Sequence, residues 1–159
     1  MEKDSFASQS KAVFSVPFRF KGVHSCKAAV LACIDFRFWR ETDQFVREYL
    51  KVDDFDFPKL PGAAKAINES KMGEIPFLCL DVPCRLHEAR KIILVNHSDC
   101  GAYGGLGKFD GDLKKEEAFH KKELEKAKEK LQKEFPEKEI ILVFAGLDED
   151  QETVNFKIF

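Results

Sequence analysis

The sequence predicts an α/β fold, a mostly parallel β-sheet flanked by helices, and three observations carry that expectation. Nearly continuous apolar runs at 27–33, 91–96 and 139–146 have the character of strands buried on both faces. Helical patterns with one apolar stripe lie between them. Strands alternating with helices imply parallel pairing through right-handed crossovers. At 159 residues, 44% hydrophobic and 34% charged, the chain is long enough for one domain with a core and short for two. The expectation is a single domain over 1–159, with 1–25 as an N-terminal arm.

Each element has its own justification. Residues 12–20 alternate in apolar character ahead of the first strand, as in a segment that adds to a neighbouring sheet edge or packs on a partner; an arm covering the chain's own surface is the other reading. Residues 27–33 form the first central strand. Over 39–50, Trp39, Phe45, Val46, Tyr49 and Leu50 recur at helical spacing among Arg40, Glu41, Asp43, Arg47 and Glu48, which predicts an amphipathic helix. Residues 54–60 alternate polar and apolar, and Pro58 confines them to an edge strand ending at Pro61-Gly62. The stretch 74–90 is expected to be helical, with Pro76 near its start and a break at Pro83.

Residues 91–96 are the second central strand. The glycine-rich turn at 101–107 lacks both the Lys-Ser/Thr ending of a phosphate-binding loop and the spacing of a dinucleotide fingerprint, so it is read as close backbone packing. A long charged helix follows over 112–135, with Leu113, Phe119, Leu124, Ala127, Leu131 and Phe135 as its apolar stripe and its Lys and Glu residues as a solvated face. Residues 139–146 are a third buried strand, and 153–159 alternate like an edge strand.

A formal net charge of −2 gives no electrostatic basis for binding nucleic acid or an anionic membrane. The charged start Met1-Glu2-Lys3-Asp4-Ser5 is not followed by a secretory apolar core, and no run reaches the length of a membrane-spanning helix. A soluble cytoplasmic protein is expected. Five cysteines, an odd number, fit a reducing compartment with metal-bound or buried thiols better than a disulfide framework. Cys26, Cys79 and Cys84 are read as small buried hydrophobes.

Chemistry concentrates in two short motifs, Cys33-Ile34-Asp35-Phe36-Arg37 and His97-Ser98-Asp99-Cys100-Gly101, each at the carboxyl end of an apolar strand. In open parallel sheets the functional crevice lies beyond those strand ends. Cys33, His97 and Cys100 offer two thiolates and an imidazole, a donor set that favours Zn2+, and three protein ligands leave a fourth position for water or substrate.

Cys-x-Asp-x-Arg after one strand and His-x-x-Cys-Gly after the next resemble the β-class carbonic anhydrases, and the resemblance covers 27–148. It implies a parallel sheet of approximate strand order 2-1-3-4, plus an edge strand here. It implies Cys33, His97 and Cys100 as zinc ligands and a zinc lyase (carbonate dehydratase) that reversibly hydrates carbon dioxide to bicarbonate by a zinc-bound hydroxide. Asp35 would accept a hydrogen bond from that hydroxide while Arg37 holds Asp35. If the pair breaks, Asp35 can instead take the fourth zinc position and close the site. Family members are commonly dimers or larger, so a homodimer or higher homo-oligomer is expected.

The sequence departs from the family where substrate pocket and dimer contacts are built. Leu60-Pro61-Gly62-Ala63 stands where an Arg-Asn-Ala-Gly segment is common, and no long helical arm precedes the first strand. Two alternatives therefore stay open: a zinc hydrolase of a CO2-like substrate, carbonyl sulfide or carbon disulfide, and a non-catalytic zinc-stabilised interaction module using the Phe-rich surface. No proton shuttle is assigned among His24, His87, His120, Asp99 and Tyr103.

Overall fold

A computed structural model describes residues 12–20 and 22–159 of the chain. The charged start at 1–5 and most of the first half of the expected arm lie outside the described residues.

Strand β1 (Ala28–Cys33) is buried along its whole length, as are β4 (Lys91–His97) after its first residue and most of β5 (Glu139–Leu147). These three pair in parallel, with Val30 opposite Ile93 and Ile93 opposite Ile141. The expected edge strand at 54–60 is two short pieces, β2 (Phe55–Asp56) and β3 (Lys59–Leu60), both parallel to β1. The interruption falls at Phe57-Pro58, where proline has no N–H for the ladder. At the other edge β6 (Val154–Ile158) runs antiparallel to β5. The six strands form one mixed, mostly parallel sheet ordered β2-β1-β4-β5-β6, with β3 also on β1.

Period-2 alternation divides the core into two layers. Ala29, Leu31, Ile92, Leu94, Leu142 and Phe144 face one side, against Ile67, Leu80, Leu124 and Leu131. Ala28, Val30, Ala32, Ile93, Val95 and Val143 face the other, against Phe38, Phe45, Val46 and Val52. Helices cover both faces, which explains why the central strands are continuously apolar.

The helices are more broken than their periodicity predicts. The 39–50 helix is α1 (Trp39–Gln44) followed by a π-turn at Phe45–Tyr49. The 74–90 helix is α3 (Ile75–Asp81) followed by a π-turn at Val82–Leu86, so the break lies around Pro83 and the helix stops short of residue 90. Helix α2 (Ala64–Glu69), between β3 and α3, has no counterpart in the sequence expectation. Helix α4 (Leu113–Glu134) begins at Asp112, whose carboxylate accepts from the backbone N–H groups of Lys114 and Lys115. Its buried stripe is Glu116, His120, Leu124, Ala127 and Leu131, so Glu116 is not part of the solvated face.

Residues 12–20 carry no strand, and Val13, Phe14, Val16, Phe18 and Phe20 are exposed. Among the described residues, no helix is long and apolar enough to cross a membrane.

Candidate metal centre

Cys33 ends β1 and His97 ends β4, and the register that sets Ala32 opposite Val95 makes both strands emerge at one end of the sheet. Alternation then turns the two side chains to opposite faces. Cys33 continues the series Ala29, Leu31 and packs with Cys100 and Tyr103. His97 continues Ile93, Val95 and lies against the Phe38 ring, centroids 4.3 Å apart. Cys100 returns from the turn after β4, immediately before the short 3-10 turn Gly101–Tyr103. The ligand atoms of Cys33, His97 and Cys100 all lie within 4.8 Å of one another, a group that could hold a metal ion.

Three observations fit such an ion. The Cys33 and Cys100 sulfurs are 3.7 Å apart, close to the separation of about 3.8 Å that tetrahedral zinc with Zn–S bonds of about 2.3 Å requires. His97 Nδ1 lies 2.7 Å from the Ser98 carbonyl oxygen. A carbonyl only accepts, so Nδ1 carries the proton and the neutral ring presents a lone pair at Nε2. That Nε2 is buried and has no hydrogen-bond partner among the described residues. The thiol pair is also unbalanced: hydrogen bonding from the Cys100 thiol lowers the Cys33 thiol, while the same contact and burial raise Cys100. Two thiolates together call for a cation between them.

The backbone N–H of Gly62 donates to Cys33 Sγ over 3.3 Å. Gly62 has φ +72°, and a Cβ there would sit 2.9 Å from Lys65 Cβ and 3.0 Å from Ala102 Cβ. Gly62→Ala is therefore expected to cost about 1–3 kcal/mol of stability and to weaken metal retention, measured by urea unfolding and a chelator competition titration.

Asp35 and Arg37 form a fork beside the ligands. Arg37 Nε donates to Asp35 Oδ1 over 3.0 Å, Nη2 to Oδ2 over 2.6 Å, and the Arg37 backbone N–H to Oδ1 over 2.9 Å. These bonds hold the Asp35 carboxyl well below the usual carboxylate range. Asp35 Oδ2 stays 3.9 Å from His97 Nε2. Arg37 has a second partner that its motif does not contain: Nη1 donates to Asp99 Oδ2 over 2.9 Å and Nη2 to the Asp99 carbonyl over 3.1 Å. The guanidinium thus ties the loop after β1 to the turn after β4.

That turn is held from below. Asp99 has φ +53°, and its backbone N–H donates to Glu116 Oε1 over 2.7 Å. Asn96, on the opposite face from His97, accepts from the Ala64 N–H at the start of α2 and donates toward His120 Nδ1 over 3.1 Å. Gly62, Asn96, Asp99 in this role, Glu116 and His120 were not legible as site residues. The local hints were that Asp99 lies inside the His97 motif, that Asn96 directly precedes it and that His120 is one of four histidines.

Burial holds His120 neutral, depressing it from 6.5 to about 3. The unfolded chain takes up this proton as pH falls below about 6.5 and the folded chain does not, so acid weakens the fold progressively down to about pH 3. Between pH 7.5 and pH 5 the loss from this group is about 2 kcal/mol. Denaturant unfolding at the two pH values should show this loss in the wild type and its absence in His120→Gln.

The remaining candidates lie elsewhere. Cys84 is buried, and burial pushes its thiol up to about 12; Cys79 is partly exposed. His24 and His87 stand beside Cys26 at the amino end of the sheet. Tyr103 is buried against Cys33 and Cys100, with its hydroxyl near Asn96. A pocket of about 10 Å3 next to Cys33 and His97 is walled by Ala32, Phe38 and Val95.

Residues 23–155 match the family described as "Putative carbonic anhydrase". An uncharacterized protein of Rickettsia bellii is 30% identical over 133 residues, covering 80% of this chain and 81% of that protein. An uncharacterized protein of Rickettsia conorii is 31% identical over 133 residues, covering 80% of this chain and 72% of its own length. No solved structure matches the chain.

Proposed function

The chain belongs to the "Putative carbonic anhydrase" family, and from that premise we propose that it reversibly hydrates carbon dioxide to bicarbonate with a zinc ion held by Cys33, His97 and Cys100. The observation that carries this reading is the convergence of two thiols and an imidazole whose buried Nε2 has no other partner among the described residues. When bound, zinc acts as a Lewis acid that makes water nucleophilic near neutral pH.

The chain's own residues supply the rest. Cys33, Cys100 and His97 Nε2 hold the ion, and the Ser98 carbonyl fixes the His97 tautomer. Asp35, kept ionised by Arg37, is an acceptor that orients the attacking water. Ala32, Phe38 and Val95 put apolar side chains beside Cys33 and His97, with room there for about one water. The Arg37 fork occupies Asp35, which supports a fourth coordination position left for substrate, whereas structural zinc sites are closed by four protein ligands.

Stopped-flow CO2 hydration by protein of measured zinc content tests the proposal. Activity rising with pH and proportional to zinc is expected; an inactive, fully loaded protein would sink it. The exposed apolar side chains between Val13 and Phe20 support a homodimer. Light scattering at micromolar concentration should return twice the chain mass, and a monomer mass would remove that assignment.

A further inference from the structure

We infer that Cys26, Asp56 and His87 form a second metal site, for a divalent, borderline-soft cation of the zinc type, at the amino end of the sheet. Cys26 Sγ, an Asp56 carboxylate oxygen and a His87 ring nitrogen lie within 4.8 Å of one another. This group shares no residue with the Cys33 centre. The six residues of β1, at about 3.3 Å each, separate the two by about 20 Å.

The site is assembled by the backbone. The Cys26 N–H donates to the His87 carbonyl over 2.9 Å, and the Lys27 N–H donates to the Asp54 carbonyl over 3.1 Å. Parallel pairing places Asp56 opposite Ala29, and the Arg90 N–H donates to the Lys27 carbonyl over 3.2 Å. Three segments far apart in the chain, the lead into β1, β2 and the turn before β4, are thus held in fixed relation whether or not a metal is present.

The donor atoms have the right chemistry and nearly the right spacing. Cys26 Sγ is 3.5 Å from Asp56 Oδ2, as expected for sulfur and oxygen sharing tetrahedral zinc at about 2.3 and 2.0 Å. His87 Nδ1 is 2.5 Å from the same oxygen. A metal would replace that hydrogen bond and open it by less than about 1 Å. On binding, the Cys26 proton would leave to solvent and the single ring proton of neutral His87 would move from Nδ1 to Nε2.

With Nδ1 on the metal, the ring proton of His87 sits on Nε2. His24 Nε2 stands 3.2 Å away and accepts it. Such an outer partner fixes tautomer and ring orientation at histidine–metal sites. Cys26 also lines a surface cleft of about 610 Å3 with Val23, Lys27 and Asp54. The bound ion would fasten the segment before β1 to the amino ends of the sheet.

Metal content of the full chain, measured by native mass spectrometry at buffered micromolar free zinc, tests the site. Wild type is expected to carry two ions and Cys26→Ser one. His87→Gln should also carry one, and Asp56→Asn, at the sheet edge, guards against misfolding of the first two variants. Cobalt substitution should show the charge-transfer absorbance of one thiolate fewer in Cys26→Ser. A single ion in wild type, retained by Cys26→Ser and lost from Cys33→Ser, overturns the second site. If wild type carries one ion that survives Cys33→Ser but not Cys26→Ser, the second site stands and the Cys33 centre fails.

Discussion

Cys100→Ser is expected to strip the metal from the Cys33 centre and return CO2 hydration to the uncatalysed rate. Cys100 is 2% exposed and supplies one of three converging donors. A serine hydroxyl stays protonated at neutral pH and is a poor donor to a borderline-soft ion, so two ligands would remain. The exchange is nearly isosteric, and Tyr103 and Cys33 still pack around the position, so the fold should persist. Zinc per chain and stopped-flow hydration, with a thermal unfolding control, give the readout. A folded variant with full activity would show that Cys100 does not hold the catalytic ion.

Asp35→Asn is expected to leave the zinc in place and lower kcat/KM by about 10^2–10^4-fold, the usual contribution of a positioned acid–base group. Asparagine keeps the volume and loses the charge. Its amide cannot satisfy the Arg37 Nε and Nη2 donors together, as both carboxylate oxygens now do. Arg37→Lys tests the positioning arm separately. One ammonium cannot reach Asp35 and Asp99 in the planar, forked manner of the guanidinium. A shift of Asp35 by about 1 Å would cost about 10^2-fold in rate. Unchanged kcat/KM at full zinc occupancy in Asp35→Asn would remove Asp35 from the mechanism.

The parts of the molecule visible in the sequence are those with a local cause. Strands β1, β4 and β5 are apolar because both faces are covered, and that condition shows directly in residue type. Cys33 and His97 stand out because each directly ends such a run. Helix α2 escaped because it is six residues long and is entered through Ala63 at φ +43°, which no residue preference announces. The π-turns closing α1 and α3 escaped because helical periodicity does not distinguish them from a continuing helix.

Glu116 read as part of a charged helix surface and His120 as an unplaced shuttle candidate, yet α4 turns both inward. Their partners, the Asp99 N–H and Asn96, are 17 and 24 residues away. Cys26 read as a small hydrophobe for the same reason. Its neighbours Asp56 and His87 are 30 and 61 residues further along, and nothing local marks them as companions.

Residue types alone carry the layered α/β plan, the central strands and the donor types delivered at two strand ends, because burial and ligand chemistry are properties of residues. Which of those donors meet depends on how the strands and turns pack in space. The register of β1 on β4 brings Cys33 to His97, the turn after β4 returns Cys100 and Asp99 to them, and β2, with the segments leading into β1 and β4, gathers Cys26, Asp56 and His87. Proximity between distant segments comes from pairing and packing, and no single stretch of chain encodes it.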